Sequence, residues 1–160
     1  MQTPTFPKIA CLVLHGLLLC SSANAQLLVS DRGTNQVNVY SMAGEFESVL
    51  IGGDAALNGG LVGPSAMTLG PSGDLLVASQ FDGRILRYDV DTGDFLGVFA
   101  ENINGPADLL YDEANDQLFV STLGNFDSEL VLRYQASTGT FLDAIGEGTG
   151  ASGRTGMGFG

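Results

Sequence analysis

Three stretches of the chain spell one pattern, and the period between them constrains the fold more than any other feature. Leu27-Leu28-Val29-Ser30, Leu75-Leu76-Val77-Ala78 and Leu118-Phe119-Val120-Ser121 each lead into a second apolar run that ends in Tyr40, Tyr88 or Tyr134. A Gly-x-Phe turn follows each tyrosine, at Gly44-Glu45-Phe46, Gly93-Asp94-Phe95 and Gly139-Thr140-Phe141. The tyrosines are 48 and 46 residues apart and the phenylalanines 49 and 46. A period of that length, built from short strands, specifies an array of four-stranded antiparallel blades. The expected fold class is therefore all-β, a β-propeller with about three blades present, half of a six-bladed ring.

Residues 1–25 stand apart from this array. Lys8 and the amino terminus precede the apolar run Ile9 to Leu19, and Ala23-Asn24-Ala25 places small residues where a signal peptidase reads them. The run is shorter than the ~20 apolar residues a membrane helix needs. The expectation is a signal peptide over 1–25, cleavage before Gln26, and a secreted or periplasmic propeller domain over 26–160. Leu19 is bulky where a lipoprotein cysteine such as Cys20 would follow a small residue.

Cleavage removes Cys11, Cys20, His15 and Lys8, so residues 26–160 contain no cysteine, histidine, lysine or tryptophan. Five arginines (32, 84, 87, 133 and 154) face eighteen carboxylates, a balance of −13. Disulfides are excluded, and the exported domain must hold together by core burial. Nucleic acid is excluded as a partner for want of clustered cations, and an anionic membrane surface is disfavoured on the same ground. Carboxylates are hard-ion ligands, which leaves Ca²⁺ or another divalent cation, or a basic ligand, as possible company.

Along the repeat, the first run is apolar without alternation, as a strand covered on both faces must be. The second places a polar residue within an apolar pair, as in Ile85-Leu86-Arg87-Tyr88 and Val131-Leu132-Arg133-Tyr134. Third runs follow the turns at Phe46–Leu50, Phe95–Phe99 and Phe141–Ile145, and the three phenylalanines read as interblade core. Opening strands begin at Gly63-Pro64 and Gly105-Pro106. The first repeat has no such strand, whereas the last residues, Gly153 to Gly160, align with Gly63 to Gly70. Three blades cannot close a ring alone. The chain is thus expected to be either a piece of a longer product, the preferred reading because it stops inside a hairpin, or half of a homodimer that completes a six-bladed ring.

These repeats resemble those of the NHL-type propellers and the related gluconolactonase-like and streptogramin-lyase-like six-bladed propellers. The resemblance spans residues 26–160. Gly63-Pro64, Gly105-Pro106, Leu27-Leu28-Val29-Ser30-Asp31, Gly83-Arg84-Ile85-Leu86-Arg87-Tyr88-Asp89 and Thr92-Gly93-Asp94-Phe95 carry it. It implies a fold that hosts lactonases, lyases, peptide-binding modules and scaffolds. Gluconolactonase-like enzymes hold a divalent metal with the Asn of an Asn-Asp pair; the matching stretch here is Pro106-Ala107-Asp108, with alanine at the ligand position. Streptogramin-lyase-like enzymes rely on a histidine, which residues 26–160 lack.

Triads, Cys-His pairs and His- or Cys-built zinc sites are excluded by composition. What remains is carboxylate chemistry. Asp31 and Asn35, Asp82, and Asn125, Asp127 and Glu129 follow the inner strands and would gather on one face of a propeller. Asp108 lies in an opening strand beside the axis. Asp31, Asp82, Asp108, Asn125 and Asp127 are therefore the candidate metal ligands, with local turn-capping as the ordinary role for each. Asp89 to Asp94 mimics a calcium loop, but glycine falls at position five and Ala100 at position twelve, so a hairpin turn is expected. Arg87 and Arg133 share one repeat position and read as solvated edge residues with packed stems. The glycine-rich 146–160 segment has no lysine and is no phosphate loop.

The leading expectation is an exported binding or structural module without catalytic residues; the rival is a metal-dependent gluconolactonase-like hydrolase or a streptogramin-lyase-like enzyme completed by further blades. The leader makes one prediction. Expressed with residues 1–25 in an exporting host, the recovered protein should begin at Gln26 by intact mass; a retained leader would refute the cleavage site.

Overall fold

The computed structural model describes residues 11–14, 17–20, 25–123 and 130–146. Near the amino terminus, β1 (Cys11–Leu14) and β2 (Leu17–Cys20) pair with each other as a separate antiparallel sheet. The repeat array forms three further sheets, each meandering outward in chain order. Blade A is β3 (Gln26–Asp31), β4 (Gln36–Ser41) and β5 (Phe46–Ile51). Blade B is β6 (Pro64–Leu69), β7 (Leu75–Ser79), β8 (Arg84–Tyr88) and β9 (Phe95–Ala100). Blade C is β10 (Pro106–Asp112), β11 (Gln117–Thr122), β12 (Val131–Gln135) and β13 (Phe141–Ile145).

Short polar side chains set the hairpins by bonding backbone within the turn. Asp31 Oδ1 accepts from the Gly33 and Thr34 amides at 2.8 and 3.3 Å, and Asp89 Oδ1 from those of Asp91 and Thr92 at 3.0 and 2.8 Å. The Asp89 loop is thus the expected hairpin turn. Both carboxyls sit below the ordinary carboxylate range, held there by these bonds, the Thr34 contact being largest for Asp31 and the Thr92 amide for Asp89.

The inner strand of blade B carries the argument for the fold. All five residues of β7 are buried, and the four apolar ones alternate between two cores. Leu75 and Val77 join Val37, Ile51, Leu61, Leu86 and Tyr88 in the A–B junction, while Leu76 and Ala78 join Ile85, Leu118, Val120 and Tyr134 in the B–C junction. An unbroken apolar run is what a strand with cores on both faces requires. Each tyrosine packs against the phenylalanine of its turn, with ring centroids 5.7, 5.8 and 5.5 Å apart in blades A, B and C. Phe95 lies partly buried in the A–B core as expected, but Phe46 and Phe141 are exposed, so the phenylalanines are not uniformly interblade core.

The junctions are also stitched by hydrogen bonds near the inner strands. Ser30 Oγ donates to the Ser65 carbonyl at 3.3 Å, and Ser65 Oγ to the Pro106 carbonyl at 2.9 Å, linking the three blades in series. At the rim the Gly-x-Phe turn of one blade lies against the outer strand of the blade before it. A Cβ on Gly93 would fall 1.9 Å from the Leu50 carbonyl oxygen, and one on Gly139 would fall 2.6 Å from that of Phe99.

Two glycines of like backbone separate conformation from packing. Gly93 and Gly73 have φ of +76° and +79°, yet a Cβ on Gly73 would meet nothing within 4 Å. Gly73→Ala should cost about 1 kcal/mol for the left-handed backbone alone. Gly93→Ala should cost roughly 3 kcal/mol or more, because blade A's backbone must move as well. Urea unfolding of both variants checks this, and equal losses would refute the A–B packing.

Candidate functional site

The loops that follow the inner strands lie on one face of the blade array, and there the 80–83 turn meets the β9–β10 connection and the end of β11. Together they enclose a groove of about 440 Å³ whose lining includes Gln80, Phe81, Asp82, Asn102, Asn104 and Leu123. Phe81 and Leu123 are 66% and 59% exposed, although each lies just beyond a strand built around a buried apolar run. The backbone of this loop pair is fixed by amide–carbonyl bonds, Ile103 to Gly83 at 2.9 Å and Leu123 to Gly105 at 2.9 Å. Arg32 of blade A reaches across, donating to Gln80 Oε1 and lying 5.0 Å from the Phe81 ring centroid. That guanidinium–π contact orients the phenyl ring on an otherwise open surface.

The charges of this region are largely committed to each other. Asp82 Oδ2 accepts from Arg84 Nε at 2.7 Å and also from Arg84 Nη2. The same guanidinium donates to the Gly59 and Gly60 carbonyls at 3.1 and 2.7 Å, so it clamps the 52–63 connection to blade B. Asp31 caps its own turn. Asp108 is exposed on β10, at the repeat position of Ala66, and its Oδ1 accepts from the Leu109 amide at 2.9 Å. Among the described residues no three His, Cys, Asp or Glu side chains lie close enough to hold a metal. Asn125 and Asp127, with Glu129, lie outside the described residues. The proposed ligands thus do not come together within the described part of the face.

Apart from Asp82, the groove residues were not singled out by the sequence. The available signal was Phe81, and Leu123 after it: large apolar residues just beyond the inner strand, where a turn is normally polar. The repeated arginines likewise have partners. Arg87 Nε donates to the buried Asp74 Oδ2 at 2.6 Å, and Arg133 Nε to Asp143 Oδ1 at 2.9 Å. Each guanidinium is tied to a carboxylate of its own blade rather than left as a solvated edge.

Three four-step meanders, one without its opening strand, packed face to face make a partial β-propeller. Solved structures agree on the fold. A Kuenenia stuttgartiensis hydrazine synthase superposes with a TM-score of 0.57 at 17% identity, over 75% of this chain and 33% of that one. A catalytically inactive Staphylococcus aureus virginiamycin B lyase with quinupristin, carrying a histidine-to-alanine substitution, superposes with a TM-score of 0.55 at 19% identity, over 82% of this chain and 41% of that one. This chain therefore spans well under half the length of either. No protein-family model and no curated protein matches it.

Two buried phenols give the fold an alkaline limit. Tyr88 donates to the Asn58 carbonyl at 2.7 Å, and burial raises its pKa far above the ordinary tyrosine value, with Arg84 and Asp82 as smaller opposing influences. Burial raises Tyr134 as well. Below about pH 10 both folded and unfolded chains keep these protons, so the full stabilisation is present. Above it the unfolded chain releases protons first, and stability should fall as pH rises. Tyr88→Phe should cost about 1–2 kcal/mol at neutral pH by orphaning the Asn58 carbonyl, and should shallow the alkaline decline. Urea midpoints at pH 8 to 11 check both; an unchanged alkaline slope would refute the assignment.

Proposed function

We propose that this chain is an exported β-propeller module that binds a ligand without transforming it, and that the groove between blades B and C is where the ligand sits. One observation carries the reading: the groove joins two exposed apolar side chains to amides, while its carboxylate, Asp82, is already neutralised by Arg84. Phe81 and Leu123 offer area to an apolar face; Gln80, Asn102 and Asn104 offer donors and acceptors without net charge. Such a lining suits an uncharged ligand with one apolar side.

Export through the 1–25 leader, to the periplasm or beyond, is part of the same proposal, as is kinship with the NHL-type and gluconolactonase-like propellers. The rival enzymatic reading has less support. The S. aureus lyase solved as an inactive form carries a single histidine-to-alanine change, and residues 26–160 here contain no histidine. The metal-dependent alternative needs an amide ligand where Ala107 stands. The acidic balance keeps nucleic acid and anionic membranes improbable as partners.

The test uses residues 26–160 with a lactone panel and with Ca²⁺, Mn²⁺ and Zn²⁺, followed by thermal melting. No turnover and no metal-dependent rise in Tm are expected. A rise of several degrees that disappears in Asp108→Ala would move the case to the metal-dependent hydrolase. Phe81→Ala, at an exposed site, should leave Tm within about 1 °C while abolishing saturation-transfer NMR contacts from neutral aryl glycosides. If wild type shows no such contacts, the groove reading fails.

A further inference from the structure

The two junctions inside the chain define what a third must look like, and the chain carries both halves of it. Each blade has a leading face, toward the blade before it, and a trailing face, toward the blade after. On the leading faces of blades B and C, Leu75 and Leu118 are 3% and 0% exposed; at the same repeat position of blade A, Leu27 is 52% exposed. Val77 and Val120 are 0% exposed, whereas Val29 is 37% exposed. Tyr88 and Tyr134 are buried, but Tyr40 is only half-buried. Blade A thus presents a complete junction surface with nothing against it among the described residues.

The missing counterpart is specified by repeat position. Leu50 of blade A packs into the A–B core beneath Tyr88, and the Phe99 ring of blade B lies 6.2 Å from that of Tyr134. Their carbonyls are the ones that crowd Gly93 and Gly139. The third member of that series is Ile145 of blade C, which is 47% exposed. The third glycine is Gly44, whose φ is +82° and which has nothing within 4 Å of its would-be Cβ. Ile145 and Gly44 are the two unmatched halves of a junction already made twice.

From these unmatched halves we infer that the trailing face of blade C receives the leading face of blade A from a second copy of this chain, and that two such contacts close a six-bladed ring. Leu27, Val29 and Tyr40 of one copy cover Ile145 and its neighbours on the other. The contact is heterologous, one surface against a different one, so rotation must close it after two copies.

Light scattering on residues 26–160 should give twice the chain mass. Leu27→Asp and Ile145→Asp alter opposite surfaces at exposed positions, and each alone should give a monomer with an unchanged far-UV spectrum. Mixed in equal amounts, the two variants should again form a dimer, because one of the two contacts then joins two unaltered surfaces. Val29→Asp replaces Leu27→Asp if the latter fails to fold. A folded wild-type monomer, a larger or open-ended polymer, a dimer that survives either substitution, or a mixture that stays monomeric would each overturn the inference. The groove between blades B and C lies within one copy, so its ligand test stands or falls separately.

Discussion

Everything in this molecule depends on burying an inner strand from both sides at once. β7 shows the requirement met: its four apolar residues split between the A–B and B–C cores, and all five of its residues are buried. Burial of apolar surface on that scale is worth about 1.5–3 kcal/mol per large side chain. With no cysteine after Cys20, no cross-link substitutes for it. A blade is therefore not a unit of stability. The junction is, and each junction needs two blades of complementary face. The serial stitch from Ser30 through Ser65 to Pro106 adds register to that burial near the inner edge.

Much of this was legible because the burial leaves a one-dimensional trace. A strand covered on both faces must be apolar without alternation, and Leu75 to Ala78 is so. A turn that lies against a neighbouring backbone must be glycine, and Gly93 and Gly139 recur at the blade period. Strand order, the three tyrosine–phenylalanine pairs and the hairpin at Asp89 followed from the same pattern. Phe46 marks where the pattern stopped informing. Its sequence position equals that of Phe95 and Phe141, but only Phe95 lies against Gly59 of the 52–63 connection, a neighbour that spacing does not reveal.

The loop face was less legible, for a reason that lies in the side chains themselves. Aspartate in a tight turn is chosen as readily for its backbone bonds as for a ligand. Asp31 bonds two amides of its own turn, and Asp82 is paired with Arg84, whose other nitrogens hold carbonyls of a distant connection. Neither partnership is visible in spacing, because one is purely local and the other crosses from residue 84 to residues 59 and 60. The groove escaped notice for the opposite reason. Its lining draws on the β7–β8 loop, the β9–β10 connection and the end of β11, so no contiguous motif records it.

The distribution of charge gives this arrangement a further logic. A chain with eighteen carboxylates and five arginines after residue 25 is self-repelling. Folding by face-to-face packing is compatible with such a composition only if the faces stay free of charge. The residues compared on the three leading faces are leucine, valine and tyrosine, while Asp31, Asp89 and Asp112 sit in turns where they bond backbone. Where arginine enters a strand it comes with a carboxylate of the same blade, as Arg87 with Asp74 and Arg133 with Asp143. Repulsion is thereby kept at the loop ends and rims, where water screens it, and each junction can form as a nearly neutral contact. Blade A's open leading face obeys the same rule: Leu27, Val29 and Tyr40 are uncharged on a chain otherwise crowded with acid, which is the composition of a surface kept for packing rather than for solvent.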